Sequence, residues 1–209
     1  MRGSINRLLW VLLVCVVGQA AGSVLIEFEL NDQFKNIHRD DDWRGDVVLL
    51  IGSDQKGSKF DAVWEKAIRD SMTGLVDMES LRIVHVADVR GVPFFLKGVV
   101  RRRFPGGNAS PIILDWQGRF ATAYGFAKDK ANILVFDRQA RLQHQIAVEG
   151  INSQRLDETV NLLVTVLRQA AKNSAPTLVP NPGSSIVTQE HLPGRKSEAL
   201  RALGLPWVT

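Results

Sequence analysis

Strand and helix patterns alternate along residues 24–172 in an order that predicts an α/β layer fold. The first observation is a run of five apolar residues, 47–51, between Gly45 and Gly52, which is typical of a strand buried on both faces. The second is a helical apolar period in the residues that follow. The third is a later strand–turn–strand pattern that leads into a long amphipathic helix. Together they predict a central sheet flanked by helices.

The N-terminal half is predicted to contain two strands, a helix and a third strand. Residues 24–30 alternate between apolar and polar side chains, which indicates an early strand, and the buried strand follows over 46–53. Ser58 and Asp61 have capping-box spacing at the start of the helix. A further apolar strand covers 81–86. The predicted apolar face of the helix consists of Phe60, Val63, Trp64, Ala67, Ile68 and Met72.

The C-terminal half continues the alternation. An irregular or helical stretch over 92–104 precedes a strand at 111–115 and a short helix at 119–126. Strands at 132–137 and 141–148 are joined by a short turn, so they are expected to pair as an antiparallel hairpin near the sheet edge.

A final helix and a tail complete the chain. Asn152 or Ser153 is expected to cap the helix. After Lys172, prolines occur among Ser, Asn and Gly without any apolar period, so residues 173–209 are predicted to be a flexible Pro/Ser-rich tail. The predicted buried face of the helix consists of Leu156, Val160, Leu163, Val164, Leu167 and Ala171.

Residues 1–22 have the three-part pattern of a secretory signal peptide. Arg2 and Arg7 supply a positive start, and an apolar run over 8–17 is followed by small residues suited to cleavage. The run is shorter than the roughly 20 apolar residues that a membrane-spanning helix needs. We therefore expect a periplasmic or secreted bacterial protein with no membrane span after cleavage.

Cys15 is the single cysteine of the chain, and it lies inside the predicted signal. Cleavage would leave a mature domain without a thiol, which excludes thiol oxidoreductase activity, thiol peroxidase activity and thiolate metal binding. Two alternatives stay open. One is an uncleaved N-terminal anchor. The other is a lipid attached to Cys15, although Val14 is poorly suited to a processing enzyme that needs a small residue before the cysteine.

Charge and motifs exclude several other function classes. The formal net charge is +4 and falls to about +2 without Arg2 and Arg7, which is too small to indicate a nucleic acid or an acidic membrane surface as the partner. The histidines are scattered, and no paired-cysteine, H-E-x-x-H or glycine-rich phosphate motif occurs. His85 lies on an apolar strand and is interpreted as a satisfied core histidine. We expect no metal and no cofactor.

Three segments carry a resemblance to a known superfamily. Residues 111–118 (PIILDWQG), 123–125 (AYG) and 133–137 (ILVFD) resemble the second half of the redoxin superfamily, which contains peroxiredoxins and thioredoxin-like proteins. More narrowly, the chain resembles the YtfJ-type bacterial periplasmic proteins, a branch of unknown function. The resemblance covers roughly residues 28–167. It implies a thioredoxin-like three-layer domain over residues 23–172, with a central mixed sheet flanked by helices.

The chain departs from this superfamily at the positions that carry its chemistry. Active redoxins place a catalytic cysteine at the start of the first helix, where the helix N-terminus lowers its pKa. The matching residues 53–59 read SDQKGSK, and Ser58 is interpreted as the helix cap. Thioredoxins also place a cis-proline before the fourth strand. Ala131 stands there in this chain, so a trans bond is expected, because a non-proline cis bond costs about 3 kcal/mol.

Two function hypotheses follow. The first is an exported non-redox binding or interaction module with an unknown protein or small-molecule partner in the periplasm. The alternative is a hydrolase or another non-thiol enzyme that uses Asp54, Lys56 or His85 in a remodelled pocket at the former redox site. The predicted contact surface of the binding module consists of Asp54, Gln55, Lys56, Ser58 and Ala131.

A dense basic cluster lies outside this surface. Lys97 and the three consecutive arginines Arg101, Arg102 and Arg103 could meet an acidic partner, lipid headgroups or the cell wall. Cations also gather at helix C-termini because the helix dipole favours them there. We interpret the cluster as such a helix end, since three consecutive arginines cannot share one helix face, and keep a basic contact patch as a hypothesis.

Overall fold

Seven strands and four α-helices occupy the part of the chain that the computed structural model describes, residues 23–107 and 109–174. The predicted signal and the tail beyond residue 174 lie outside the described residues. The strands are β1 (Glu29–Asn31), β2 (Ile37–Arg39), β3 (Val47–Ser53), β4 (Leu81–Asp88), β5 (Ile112–Asp115), β6 (Ala131–Phe136) and β7 (Leu142–Val148). The helices are α1 (Asp61–Met72), α2 (Lys97–Arg101), α3 (Arg119–Ala123) and α4 (Ser153–Ser174).

Five strands form a mixed sheet in the order β5-β4-β3-β6-β7, and β1 pairs with β2 in a separate hairpin. β3 is parallel to β4, and β4 is parallel to β5. β6 is antiparallel to both β3 and β7. The predicted central mixed sheet, with its last two strands paired as a hairpin, is therefore confirmed. β3 is central, and its last residue, Ser53, pairs with Ala87 on one side and with Ala131 on the other.

One face of the sheet packs against α1 and α4. Trp64 and Ile68 of α1 and Leu163 of α4 are fully buried in this core. The β3 residues on this face are Val47, Leu49 and Ile51. Burial of large apolar side chains is the main stabilising contribution of such a layer.

The opposite face of the sheet is covered by an aromatic cluster. The ring centroid of Phe28 lies 4.6 Å from that of Trp43 and 5.0 Å from that of Phe120. Val48 and Leu50 of β3 belong to the same buried cluster. Because successive β3 side chains enter the two cores alternately, the strand is apolar throughout, and its predicted burial on both faces is confirmed.

Several boundaries differ from the predictions. The first strand begins at Glu29 because the backbone before it pairs elsewhere: the Leu25 N–H donates to the Ala140 carbonyl at 2.8 Å. Val63 is about half exposed, and in α4 the buried alanine is Ala170, not Ala171. These side chains lie at the edge of the apolar stripes, where the neighbouring elements do not cover them.

Local capping in the C-terminal half agrees with the sequence. The Asn152 side-chain oxygen accepts a hydrogen bond from the Arg155 N–H at 3.0 Å, so Asn152 caps α4. Asp115 accepts from the Phe120 N–H in the turn after β5. None of the helices in the described ranges has the length and apolar character needed to cross a bilayer.

Candidate functional site

The loop between β3 and α1 is organised by the carboxylate of Asp54. One Asp54 oxygen accepts from the N–H groups of Lys56 at 3.0 Å and Gly57 at 2.8 Å, and the other accepts from the Asp129 N–H at 2.9 Å. Burial alone would raise the pKa of Asp54, but these hydrogen bonds outweigh it and hold the pKa below its usual value. The backbone donors of this turn are therefore occupied by a negative charge of the chain itself.

The same loop lies in close contact with the start of β6. A Cβ atom on Gly57 would lie 2.2 Å from the Lys130 carbonyl oxygen, so only glycine allows this approach. The described residues contain no cis peptide bond, and the Lys130–Ala131 bond is trans as expected. Ala131 is fully buried, so it supports the surface from beneath. Its predicted place among the contact residues is corrected for that reason.

Of the predicted contact residues, Gln55, Lys56 and Ser58 have exposed side chains. The Lys56 ammonium lies 3.5 Å from the Asp129 carboxylate, in an exposed ion pair. The Ser58 hydroxyl donates to the Gln55 carbonyl at 3.0 Å and makes no capping bond to α1. The predicted capping box is therefore wrong. Ser58 lies within a 3₁₀ turn, Gly57–Phe60, that precedes the α-helix, and Asp54 accepts the Gly57 N–H at the start of that turn.

A polar pair lies at the end of β3, beneath this loop, with Ser53 buried and Asp61 half-buried. The Ser53 hydroxyl donates to one carboxylate oxygen of Asp61. The second Asp61 oxygen is buried and has no hydrogen-bond partner among the described residues. Burial raises the pKa of Asp61 to about 6. We missed this pair from the sequence because Asp61 was assigned to the capping box. The available signal was a serine ending a fully apolar strand.

A second cluster of polar side chains is centred on Glu65, one turn further along α1. His85 of β4 lies 2.7 Å from a Glu65 oxygen, and the Arg69 guanidinium donates to Glu65 at 2.7 Å. The hydrogen bond with His85 and then the bond from Arg69 lower the pKa of Glu65 to about 2. His85 is therefore a satisfied histidine, as the sequence indicated.

The three residues of the enzyme hypothesis lie in different environments. The Asp54 carboxylate faces backbone N–H groups, and the Lys56 side chain is exposed. His85 pairs in register with Ile51, two residues before the end of β3, and contacts Glu65 under α1. The structure therefore does not bring Asp54, Lys56 and His85 together. It brings Ser53 and Asp61 together instead.

The basic cluster lies in the connection between β4 and β5. Arg102 and Arg103 follow α2 and are exposed, and the Lys97 ammonium lies 5.1 Å from the ring centroid of Trp116. Just before α2, Phe94 and Phe95 form a 3₁₀ turn and are among the most exposed large apolar residues described. The cations could be recognised from the sequence, whereas the exposure of these two phenylalanines could not.

Comparison with known proteins gives a fold and no family. No family model and no curated protein matches the chain. A solved structure from Chlorobium tepidum, assigned as the thiol:disulfide interchange protein DsbE, matches 70% of this chain and 97% of its own length at 14% identity, with a TM-score of 0.50. The domain has a thioredoxin-like α/β fold. A hypothetical protein of Sinorhizobium meliloti 1021 matches 71% of this chain and 85% of its own length at 15% identity, with a TM-score of 0.50.

At these identities the thioredoxin-like likeness describes the fold alone. A third solved structure, the exposed lipoprotein thioredoxin of Streptococcus pneumoniae, has 16% identity and a TM-score of 0.46, and the match covers 64% of this chain and 99% of that one. This thioredoxin-like chain has its single cysteine at position 15, outside the described domain. Its loop after β3 contains Asp54 and no sulfur.

Proposed function

We propose that this chain is an exported, non-redox, thioredoxin-like binding protein related to the YtfJ-type periplasmic proteins. The observation that carries the proposal is the Asp54 carboxylate, which accepts the N–H groups of Lys56 and Gly57 where the redoxin pattern has its reactive thiol. Such donors and a positive helix end lower the pKa of a thiol, so that the thiolate forms at neutral pH. In this chain the N–H groups of Lys56 and Gly57 already donate to the Asp54 carboxylate, which has no thiol redox chemistry.

The proposed contact surface is the exposed part of this edge, Gln55, Lys56 and Ser58. Asp54 joins the loop to Asp129, and Gly57 packs against the Lys130 backbone, so the loop is held at two points against the segment before β6. A loop ordered before binding loses less conformational entropy when a partner docks on it. One amide, one ammonium and one hydroxyl suit a polar partner surface.

A redox assay tests the first half of the proposal. We expect the purified chain and its Cys15→Ser variant to show no disulfide reduction of insulin and no peroxide turnover. Turnover that persists in Cys15→Ser would contradict the proposal, since no thiol would then be present. The N-terminal mass of the protein isolated from its native host decides separately whether residues 1–22 are removed.

Site-specific photo-crosslinking in the native host tests the second half. A photoreactive residue at position 55 is expected to give a discrete adduct that Lys56→Glu abolishes. Gln169, an exposed glutamine on α4, is the matched control position. Identical adducts from positions 55 and 169, or an adduct at 55 that Lys56→Glu leaves unchanged, would remove the edge from the proposed interface.

A second function, a non-thiol hydrolase, is favoured by one observation. The Asp61 carboxyl next to Ser53 has a pKa of about 6, in the range where a carboxyl group can both donate and accept a proton. Ser53 is only 2% exposed, so substrate access would require the loop at 54–57 to move. Hydrolysis of ester or phosphate-ester probes with an inflection near pH 6, lost in Asp61→Asn, would favour this function over the binding module.

A further inference from the structure

The connection between β4 and β5 presents a group of apolar side chains to solvent. Phe94 is 83% exposed, Phe95 68%, Val99 42% and Leu96 40%. The two phenyl rings stack edge to face with centroids 5.7 Å apart, so they form one raised aromatic pair. Scattered apolar residues on a surface need no explanation, but a contiguous group marks an interaction site.

The same connection is strongly basic. Between Val89 and Leu114 the sequence contains Arg90, Lys97 and the triplet 101–103, and no aspartate or glutamate. Arg90 is paired with Asp88. In the described part of the chain, none of the three arginines of the triplet forms an ion pair with a carboxylate. The local charge is therefore positive although the net charge of the chain is small.

We propose that this surface, defined by Phe94, Phe95, Leu96, Val99 and the triplet 101–103, docks on the anionic surface of a phospholipid bilayer. Exposed aromatic and aliphatic side chains enter the boundary between headgroups and acyl chains, while neighbouring arginines bind lipid phosphates. Each cation near an anionic membrane surface strengthens binding by roughly a factor of five. We call these residues the docking surface.

The chemistry of the docking surface favours a bilayer over an acidic protein. Across residues 91–100 the only side chain that can form a hydrogen bond is Lys97, and its ammonium lies over Trp116. A protein interface of useful size normally contains about one hydrogen bond per 100–200 Å². A lipid surface needs no directional bonds from the apolar part and takes its polar contacts from the arginines. The inference is independent of the contact surface proposed around Lys56.

Vesicle sedimentation with the full chain tests the docking surface. We expect binding to vesicles of phosphatidylcholine with about one third phosphatidylglycerol, weakening with salt, and little binding to phosphatidylcholine alone. The triple variant R101Q/R102Q/R103Q is expected to bind about 25-fold more weakly, because Arg102 and Arg103 are exposed whereas Arg101 is half-buried. Phe94→Ser with Phe95→Ser is expected to lose at least tenfold. The matched controls are the triple variant K66Q/K128Q/K172Q for charge and Leu75→Ser for an exposed apolar residue.

A site-specific probe separates the docking surface from the apolar N-terminal run, which could itself bind lipid. In a Cys15→Ser background, an environment-sensitive fluorophore on Phe95→Cys should shift to shorter wavelength with anionic vesicles, and the same label on Leu75→Cys should not. Lys56→Glu should leave this shift intact. Equal shifts at both positions, vesicle binding unchanged in both docking-surface variants, or binding to polyglutamate without any vesicle response would each overturn the proposal.

Discussion

The loop after β3 and the connection after β4 both start at the C-terminal ends of neighbouring parallel strands. They differ in whether their polar and apolar groups find partners within the domain. In the first, Asp54 accepts three backbone N–H groups, and Gly57 packs against Lys130. In the second, Phe94 and Phe95 are largely exposed, and the arginines after them have no carboxylate partner in the described structure.

The first loop therefore has a backbone that is held by hydrogen bonds within the domain, whereas the second region leaves apolar and cationic side chains in solvent. Backbone groups that are satisfied internally add to the free energy of unfolding. Groups left exposed cost some stability or solubility and acquire partners on binding. The loop after β3 is therefore expected to be sensitive to substitution, and the docking surface tolerant. Single substitutions in the two regions should therefore differ in their effect on the free energy of unfolding.

The largest effect is expected from Gly57→Ala. Its Cβ would lie 2.2 Å from the Lys130 carbonyl oxygen, a backbone atom that cannot move without opening the loop. We expect a loss of about 3 kcal/mol or more in the free energy of unfolding, measured by denaturant titration. Gly106→Ala, in the connection after β4, is the control. No atom lies within 4 Å of its Cβ position, so a change below about 0.5 kcal/mol is expected. Similar losses of unfolding free energy in Gly57→Ala and Gly106→Ala would contradict the expected difference between the two regions.

The next effect is expected from Asp54→Ala. This variant leaves the N–H groups of Lys56, Gly57 and Asp129 without their acceptor, and we expect a loss of about 2–3 kcal/mol. Asp54→Asn keeps one acceptor oxygen and should lose about half as much. Thermal and denaturant unfolding measure both. An Asp54→Ala chain as stable as the parent would mean that the loop is not held by this carboxylate.

Asp61→Asn is expected to stabilise the protein in a pH-dependent way. Burial raises the pKa of Asp61 from 3.8 to about 6, so the folded state is penalised where Asp61 is ionised. The penalty is absent below about pH 4, grows between pH 4 and 6, and is complete above pH 6. We expect a gain of about 2 kcal/mol at pH 7 and none near pH 4, measured by denaturant unfolding across this range. A gain that does not change with pH would refute ionisation as its cause.

The smallest effect is expected from Gly98→Ala in α2. A Cβ there would meet nothing closer than Arg102 at 4.0 Å, and alanine favours a helix over glycine by about 1 kcal/mol. We expect a gain of up to about 1 kcal/mol in stability, with vesicle binding retained. A marked destabilisation would show that the connection is packed more tightly than its exposed side chains indicate.

Much of the fold could be predicted because its signals are local. The apolar run at 47–51 between two glycines identified the central strand, and helical periods identified α1 and α4. The sulfur-free loop and the trans bond before Ala131 could likewise be read from single positions. Each of these features depends on residue type and spacing, which the chain itself records.

Only the tertiary structure decided which side chains contact each other beside the C-terminal ends of the strands and which remain exposed to solvent. Asp61 has the spacing of a helix cap, yet its partner is Ser53, because the 3₁₀ turn moves the helix start beyond Ser58. Phe94 and Phe95 look like core residues by composition, but the described structure packs no element over them. A sequence pattern determines the period and polarity of a segment. Burial of a particular side chain depends on what lies opposite it, and that is set by packing between distant parts of the chain.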